Sequence, residues 1–452
     1  MKRGAEGGRE FKRFAKNTGW LVAQNVFQYV LSAVIGILAA RYMGPSNYGV
    51  LGFGASLMAM FLPLCTLGLD SVQIPAMIAE PERTGEFIGT SLALRGASSA
   101  LSIMAIAALT ALLKPNNPLM LLVTVLQSLQ LLLQMFDSFR LWFQMNLLSK
   151  YTAIGSVIGN TACSVWRIVL LMRGASVEYF ALTSVIQMLT NYFFVIPMFF
   201  YRAKLKLSVS LDAAKLLLSK GYHFILSGLT VAITNYYGKV LLGYQLGEAP
   251  LGLYNAASSV ALMWIFVPQA IVDSAMPVLL KTKREQPLCF TERLQTVYLA
   301  VTLIGVLAGL GLTVLSRFVI DFLYGEAFLG AASLLRILAW TGLLSSIGVA
   351  RGIWVLAEEK HRYVKYYCGI GAASSVILSS VGVWLYGAPG AAVAAVVTGV
   401  VQALIAPLFF KETRCFTMDF LGSFRRAPEL MTMLKRRIKN GEGNNPSKTD
   451  EE

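Results

Sequence analysis

Apolar stretches of about 20 residues, each long enough to cross a hydrocarbon core about 30 Å thick, recur along nearly all of this 452-residue chain. Inside such a core the backbone has no water to bond to, so a spanning segment has to close its own hydrogen bonds as a helix. The short connections between the stretches are alternately basic and almost uncharged. This pattern predicts an all-α polytopic membrane protein and confines its function to work done within or across a bilayer. Composition agrees: 56% of the residues are hydrophobic and 14% charged, against about 25% charged in a soluble domain. The net charge of +15 is placed beside the spans, where the preference of cytoplasmic loops for Lys and Arg accounts for it. Nucleic-acid binding is therefore not expected.

A sliding hydropathy window predicts about twelve spans, at 18–40, 48–69, 87–113, 118–139, 151–173, 178–200, 221–243, 252–279, 296–318, 331–356, 363–386 and 389–410. With the N-terminus in the cytoplasm, inside segments hold about 30 of the 39 Lys+Arg, among them Lys12, Arg13, Arg202, Lys204, Lys206, Lys281, Lys283, Lys360 and Lys365. The outside connections hold Arg41, Lys114, Arg173 and Arg317. Both termini are thus expected to be cytoplasmic, in a multi-pass protein of the cytoplasmic (inner) membrane. The first apolar run has no small-residue cleavage site after it, and reads as a span.

The expected organisation is a basic cytoplasmic segment at 1–17 and an N-lobe of six spans at 18–200. A basic cytoplasmic linker at 201–220 leads to a C-lobe of six spans at 221–410. A basic juxtamembrane segment at 411–440 and a polar, disordered tail at 441–452 follow. The linker and the juxtamembrane segment both look suited to an anionic membrane surface. The two lobes resemble each other. A shift of 203 residues puts Gly44 on Gly247, Gly49 on Gly252, Ser56 on Ser259, Met60 on Met263 and Asp70 on Asp273. With an even number of spans in each half, the repeat is parallel, about an axis along the membrane normal. The fold expected is about twelve transmembrane helices in two pseudo-symmetric six-helix lobes around a central cavity.

Polar residues fall in helical stripes inside several spans, which suggests a shared hydrated interior. They include Asn25 and Gln28 in the first span, Gln127, Gln130, Gln134 and Asp137 in the fourth, Asn160 and Arg167 in the fifth, Gln187 and Asn191 in the sixth, and Asn235 and Lys239 in the seventh. Interhelical hydrogen bonding is the simpler explanation of any single stripe. Within or at the ends of spans stand Arg41, Arg95, Arg167, Lys239, Arg336 and Arg351. The acids Asp70, Asp137 and Asp273 lie near expected cytoplasmic ends, so the mid-membrane character reads as cationic and fits an anionic ligand. Arg95, Arg167 and Lys239 are the leading candidates to hold it; Arg41, Arg336, Arg351, Asn25, Gln28 and Asn235 complete the set. Snorkelling or pairing within a lobe is the alternative for each charge. There is no nucleophile elbow, phosphate-binding glycine loop or metal-ligand cluster, and His223 and His361 sit near span boundaries. No catalysis, metal or cofactor is expected.

At RYMGPSNYGVLGF (41–53), TLGLD (66–70), LGYQLGEAPLGLYNAAS (242–258), YGEAFLGAASLLRILAW (324–340) and YGAPGAAVAAVVTG (386–399), the chain resembles the polysaccharide flippases of the multidrug/oligosaccharidyl-lipid/polysaccharide exporter superfamily. The resemblance covers about residues 15–410. It implies two six-helix lobes around a cavity and a transporter that flips a polyprenyl-pyrophosphate-linked glycan for polysaccharide biosynthesis. Membrane lipid, and glycosyltransferases and a polymerase of the same pathway, are the partners it implies. Where family members often carry an acid before the basic residue of the seventh span, this chain has Gly238 before Lys239. An antiporter of drugs or small cations from the same superfamily, or a membrane enzyme acting on polyprenyl-phosphate sugars, are the competing expectations.

Overall fold

In the computed structural model every regular element among the described residues is helical, as the need to satisfy the backbone in lipid requires. The structure describes the backbone of residues 2–425 and the side chains of residues 33–424, apart from Leu288 and His361. The helices are α1 (Lys2–Thr66), α2 (Leu69–Ala79), α3 (Thr84–Leu113), α4 (Pro118–Ser128), α5 (Gln130–Leu133), α6 (Asp137–Met145), α7 (Lys150–Arg173), α8 (Val177–Ala181) and α9 (Thr183–Ala203). They continue with α10 (Leu211–Leu246), α11 (Glu248–Leu262), α12 (Phe266–Glu285), α13 (Pro287–Tyr324), α14 (Ala331–Ala357), α15 (Val364–Val400) and α16 (Arg414–Arg425). Among the described residues ten helical stretches are long and apolar enough to cross a membrane. Two of them, Ala33–Ala79 with 47 residues and Val364–Phe409 with 46, have room for two crossings of about 20 residues each. Each turns at a glycine with positive φ, Gly44 (φ 74°) and Gly387 (φ 63°). Ten stretches, two of them double, agree with the twelve crossings read from hydropathy.

The chain forms two compact units. The first is Met1–Asn255 with Ile320–Gly330. Its aromatic core gathers Phe87, Phe139, Trp142, Phe143, Tyr192 and Phe199, all buried. α10 lies along α1: a methyl group on Gly228 would meet the Pro63 side chain at 2.9 Å, and one on Gly243 would meet the Phe53 ring at 2.7 Å. The first unit therefore extends past the 201–220 linker and includes the seventh expected span. The linker itself packs on protein along one side. Its extended part runs against α3, where a methyl on Gly85 would strike the Lys206 carbonyl and one on Gly89 the Ser208 carbonyl. Ser210 N–H donates to Thr90 Oγ1 (3.1 Å), and Ala213 and Leu217 are fully buried.

The internal repeat has a physical counterpart in this unit. Gly44 (φ 74°, ψ 172°) and Gly247 (φ 90°, ψ −171°) share one backbone conformation, which is open to glycine and costly for other residues. Beyond them the part of α1 that follows the Gly44 break and the start of α11 meet reciprocally. A methyl on Gly49 would fall 1.8 Å from the Glu248 carbonyl oxygen, and one on Gly252 would fall 1.9 Å from the Pro45 carbonyl oxygen. Glu248 and Pro45 are themselves related by the same shift, so the contact is a local two-fold. Tyr48 packs on Tyr324 and Phe328 (centroids 6.4 and 6.1 Å), and Asn117 Nδ2 donates to Glu248 Oε1 (2.8 Å).

The second unit is Ala256–Val319 with Ala331–Glu452. Its core contains Tyr298, Ile347, Ile353, Trp354, Phe416 and Phe420. The last two belong to α16, so the described part of the juxtamembrane segment docks on protein. Gln295 Nε2 donates to the Asp419 carbonyl (3.2 Å) and Thr417 Oγ1 to the Leu404 carbonyl (3.2 Å). Met418, Leu421 and Phe424 on its other side are exposed. Residues 426–440, the tail at 441–452 and the side chains of the 1–17 segment lie outside the described residues.

Candidate functional site

A charged side chain in a spanning helix needs either a partner or a polar cavity, and the six cations divide on that criterion. Arg95, on the buried face of α3, has a partner. The N-terminus of α2, set by the left-handed Gly68, carries Asp70 back toward α3. Arg95 Nη2 donates to Asp70 Oδ1 at 3.0 Å, and the Arg95 side chain is wholly buried. Arg140 lies 3.6 Å from the same oxygen. Its Nε donates to Asp137 Oδ1 at 2.8 Å, and Tyr192 OH donates to that oxygen at 2.9 Å. Two arginines and two aspartates thus neutralise one another inside the first unit. This corrects the reading of Arg95 as a free cation of the cavity and gives Asp70 and Asp137 arginine partners. The sequence reading missed Arg140, although its spacing of three from Asp137 on a helix is the signal of a side-chain pair.

Two polar stripes also turn out to join helices. Gln187 Nε2 donates to Asn160 Oδ1 (2.5 Å) between α9 and α7. Gln130 reaches Met58 Sδ on α1. For these residues interhelical bonding, not a hydrated lumen, is the observed role.

Arg167 and Lys239 are left without a carboxylate: neither is ion-paired among the described residues. Both are in the first unit and half-buried. Arg167 reaches from α7 onto α1, where a methyl on Gly36 would lie 3.9 Å from its Nη1. Lys239 Nζ stands 5.9 Å from the Tyr236 ring centroid, a weak cation–π contact that leaves the charge uncompensated. Arg167 is about 9 Å from the Arg173 end of α7, and Lys239 about 10 Å from the Leu246 end of α10. Both helices pack on α1, α7 before the break at Gly44 and α10 after it, at Pro63 and Phe53. Asn235, one turn before Lys239, is exposed, and its Nδ2 donates to the Val231 carbonyl (2.9 Å). Asn25 and Gln28 lie outside the described side chains.

The remaining arginines have other surroundings. Arg41 is exposed at the outer turn of α1, where a methyl on Gly325 would lie 3.1 Å from its Nε. Arg336 is exposed in the second unit, with Nε donating to Ser316 Oγ (3.0 Å). Arg351 ties α14 to the end of α15. A π-turn at Val401–Ile405 brings the Gln402 carbonyl to Arg351 Nη1 at 2.7 Å. The guanidinium also lies over the Tyr367 and Phe416 rings at 4.9 and 5.9 Å. These contacts occupy Arg351 with holding α16 in place.

Among the described residues no group of three or more His, Cys, Asp or Glu is arranged to hold a metal ion.

Solved structures with the same fold are transporters. A lipid II flippase, MurJ, in an inward closed conformation superposes with a TM-score of 0.66 at 16% identity, over 94% of this chain and 92% of that one. An inward-facing multidrug resistance MATE family transporter of the MOP superfamily gives 0.65 at 15% identity, over 88% and 96%. A eukaryotic MATE transporter, AtDTX14, gives 0.54 at 12% identity, over 88% and 98%. No curated protein sequence matches this chain significantly. The model of one sequence family, described as polysaccharide biosynthesis protein, matches residues 37–333. That match covers most of the chain and runs through the α1–α11 contact, the Arg95 cluster, Arg167 and Lys239, so this chain belongs to the polysaccharide biosynthesis protein family and has the fold of the MOP superfamily of transporters.

Proposed function

We propose that this protein is a flippase that carries a polyprenyl-pyrophosphate-linked oligosaccharide across the cytoplasmic membrane for polysaccharide assembly. The observation that supports this reading best is the pair of cations without carboxylates among the described residues, Arg167 on α7 and Lys239 on α10, each within a spanning helix. Their charge suits a pyrophosphate, with the arginine fork giving two bonds to phosphate oxygens and the lysine a point charge. The MurJ likeness at the level of fold is in keeping with it. Sugars and pyrophosphate enter the polar interior, and the polyprenyl chain stays in lipid. The lobes alternate in opening to the two sides. Both termini are in the cytoplasm, and the glycosyltransferases and polymerase of the pathway act before and after the protein.

Export of cationic drugs is the weaker reading. A cationic compound calls for an acid in the cavity, and the acids of the first unit's cluster are already bound to arginine.

The test is neutral replacement of the two free cations. One charge-assisted bond to phosphate contributes roughly 1.5–3 kcal/mol, so Arg167→Gln and Lys239→Gln should each weaken glycolipid binding by about tenfold to a hundredfold. Protein level should be unchanged, since neither residue holds the fold together through an ion pair. Normal binding by both variants would remove the pair from the mechanism.

A further inference from the structure

In the second unit the stretch Val364–Phe409 leaves one border of the spans and returns to it, and α14 reaches the same border at Ala357. The connection 358–363 and the turn that leads into α16 therefore lie side by side just past the spans. Glu412 joins them. It accepts from Lys360 Nζ (2.7 Å) and from Arg362 Nη2 (2.9 and 3.1 Å). The Phe410 ring packs on those of Tyr363, Tyr366 and Tyr367, with centroids 5.4, 5.3 and 6.1 Å away.

Positive charge is left over after these pairings. Glu358 is held by Lys283, and Glu412 is shared by two cations. Lys365, Lys411 and Arg414 are exposed, and none is ion-paired among the described residues. Of the acids in the two connections, Glu359 alone is left to oppose them. Lys365 Nζ lies 5.0 Å from the centroid of the Tyr366 ring, which itself packs on Phe410. Arg414 Nε donates to the Leu408 carbonyl (2.8 Å), which holds its guanidinium at the same turn. The three cations thus stand around the turn at Leu408–Lys411.

The outside of the turn is apolar. Val364, Tyr366, Leu408 and Phe409 are exposed, Phe409 at 65%. α16 continues the pattern: Arg414, Met418 and Leu421, spaced four and three, share one face, away from the buried Phe416 and Phe420. Water would leave these apolar groups uncovered, and hydrocarbon would strand the cations. The boundary between headgroups and acyl chains suits both. At that boundary a surplus of Lys and Arg selects anionic over neutral lipid, each cation contributing up to about fivefold in affinity. Inorganic phosphate would gain the charge but nothing from the apolar face. We propose that the Leu408–Arg414 turn, with Lys365 and the outer face of α16, binds an anionic phospholipid of the adjacent leaflet. Its phosphate lies among Lys365, Lys411 and Arg414, and its chains cover Phe409, Met418 and Leu421. α16 is then held on both faces, by the core of the second unit and by lipid. The site does not depend on what the protein carries.

The experiment uses the full-length protein in nanodiscs of phosphatidylcholine. A bimane is attached at Val364→Cys, beside Lys365, with Cys289→Ser and Cys415→Ser removing the two cysteines that are not buried. Its quenching is titrated with phosphatidylglycerol or phosphatidylcholine brominated in an acyl chain. The anionic lipid should be preferred about tenfold or more, and about 0.5 M salt should weaken the preference. Lys365→Gln and Lys411→Gln should each lower it several-fold, and the double variant should bring it close to one. Both side chains are exposed and unpaired among the described residues, so melting should be unchanged. Lys365→Arg/Lys411→Arg, which keeps the charge, should keep the preference. Excess inorganic phosphate at constant ionic strength should leave it intact. Equal quenching by the two lipids, or a preference that survives the double Gln variant, overturns the proposal. Loss of the preference in phosphate also overturns it, since the site would then take a soluble anion.

Discussion

Arg95 shows why a membrane arginine cannot be judged from its position on a helix. Its place within a span was readable. Its partner, Asp70, lies 25 residues away on α2, across the turn at Pro81–Arg83, and no periodicity links them. The pairing predicts an asymmetric response to substitution. Asp70→Asn leaves a wholly buried guanidinium without its carboxylate, and should cost about 3–5 kcal/mol. Arg95→Gln leaves Asp70, which is partly exposed and close to Arg140, and should cost less. The double variant should be less damaged than the sum of the two, as unfolding in detergent would show. Equal, additive losses would mean that the pair is not coupled. Arg167 and Lys239 were legible for the opposite reason: the sequence offers no acid near either, and the structure supplies none.

A second residue-scale prediction concerns Glu412, outside the spans. Hydrogen bonds from Lys360, then Tyr363 and Arg362, hold its carboxyl down from 4.5 to about 2. A carboxyl lowered by folding stabilises the folded state above its unfolded value, and that contribution disappears as pH falls through the folded value. The melting difference between the protein and Glu412→Gln should therefore be small, because the cluster is exposed. It should be constant above pH 4.5, and vanish toward pH 2. A difference that grew on acidification would contradict this assignment of partners.

At the scale of elements, the contact between α1 just after Gly44 and the start of α11 is the clearest case of a pattern readable as repeat but not as contact. The shift that pairs Gly44 with Gly247 and Gly49 with Gly252 is visible in the sequence. That the related glycines then touch across a local two-fold is visible only in the fold, because helix-to-helix approach depends on which faces meet. The breaks were less legible. The fourth expected span is divided into α4, α5 and α6, and the eighth into α11 and α12, since hydropathy is blind to a helix that changes direction inside lipid. Gly49→Ala would place a methyl on the Glu248 carbonyl, with backbone on both sides and no side chain to move away. The ends of α1 and α11 should separate. A cysteine introduced at Tyr48 and another at Tyr324 should then cross-link several-fold less in Gly49→Ala than in the parent. Undiminished cross-linking would show that the close approach is not needed for the contact.

For the whole molecule, span number, helical class and family were legible because lipid imposes one rule on every spanning segment, and hydropathy reports that rule directly. The docking of α16, the pairing of Arg95 and the packing of the linker were not legible, because each depends on contacts between segments remote in sequence. The central claim is translocation of a polyprenyl-linked anionic glycan with Arg167 and Lys239 gripping its pyrophosphate. The most direct measurement is head-group exposure in proteoliposomes: a fluorescent polyprenyl-pyrophosphate oligosaccharide is placed in one leaflet, and its appearance in the other is followed with a membrane-impermeant quencher. The account predicts transfer with the parent protein well above empty vesicles, and transfer reduced about tenfold or more in Arg167→Gln/Lys239→Gln at equal protein content. Transfer by the parent no faster than in empty vesicles, or equally fast with both cations removed, would contradict it.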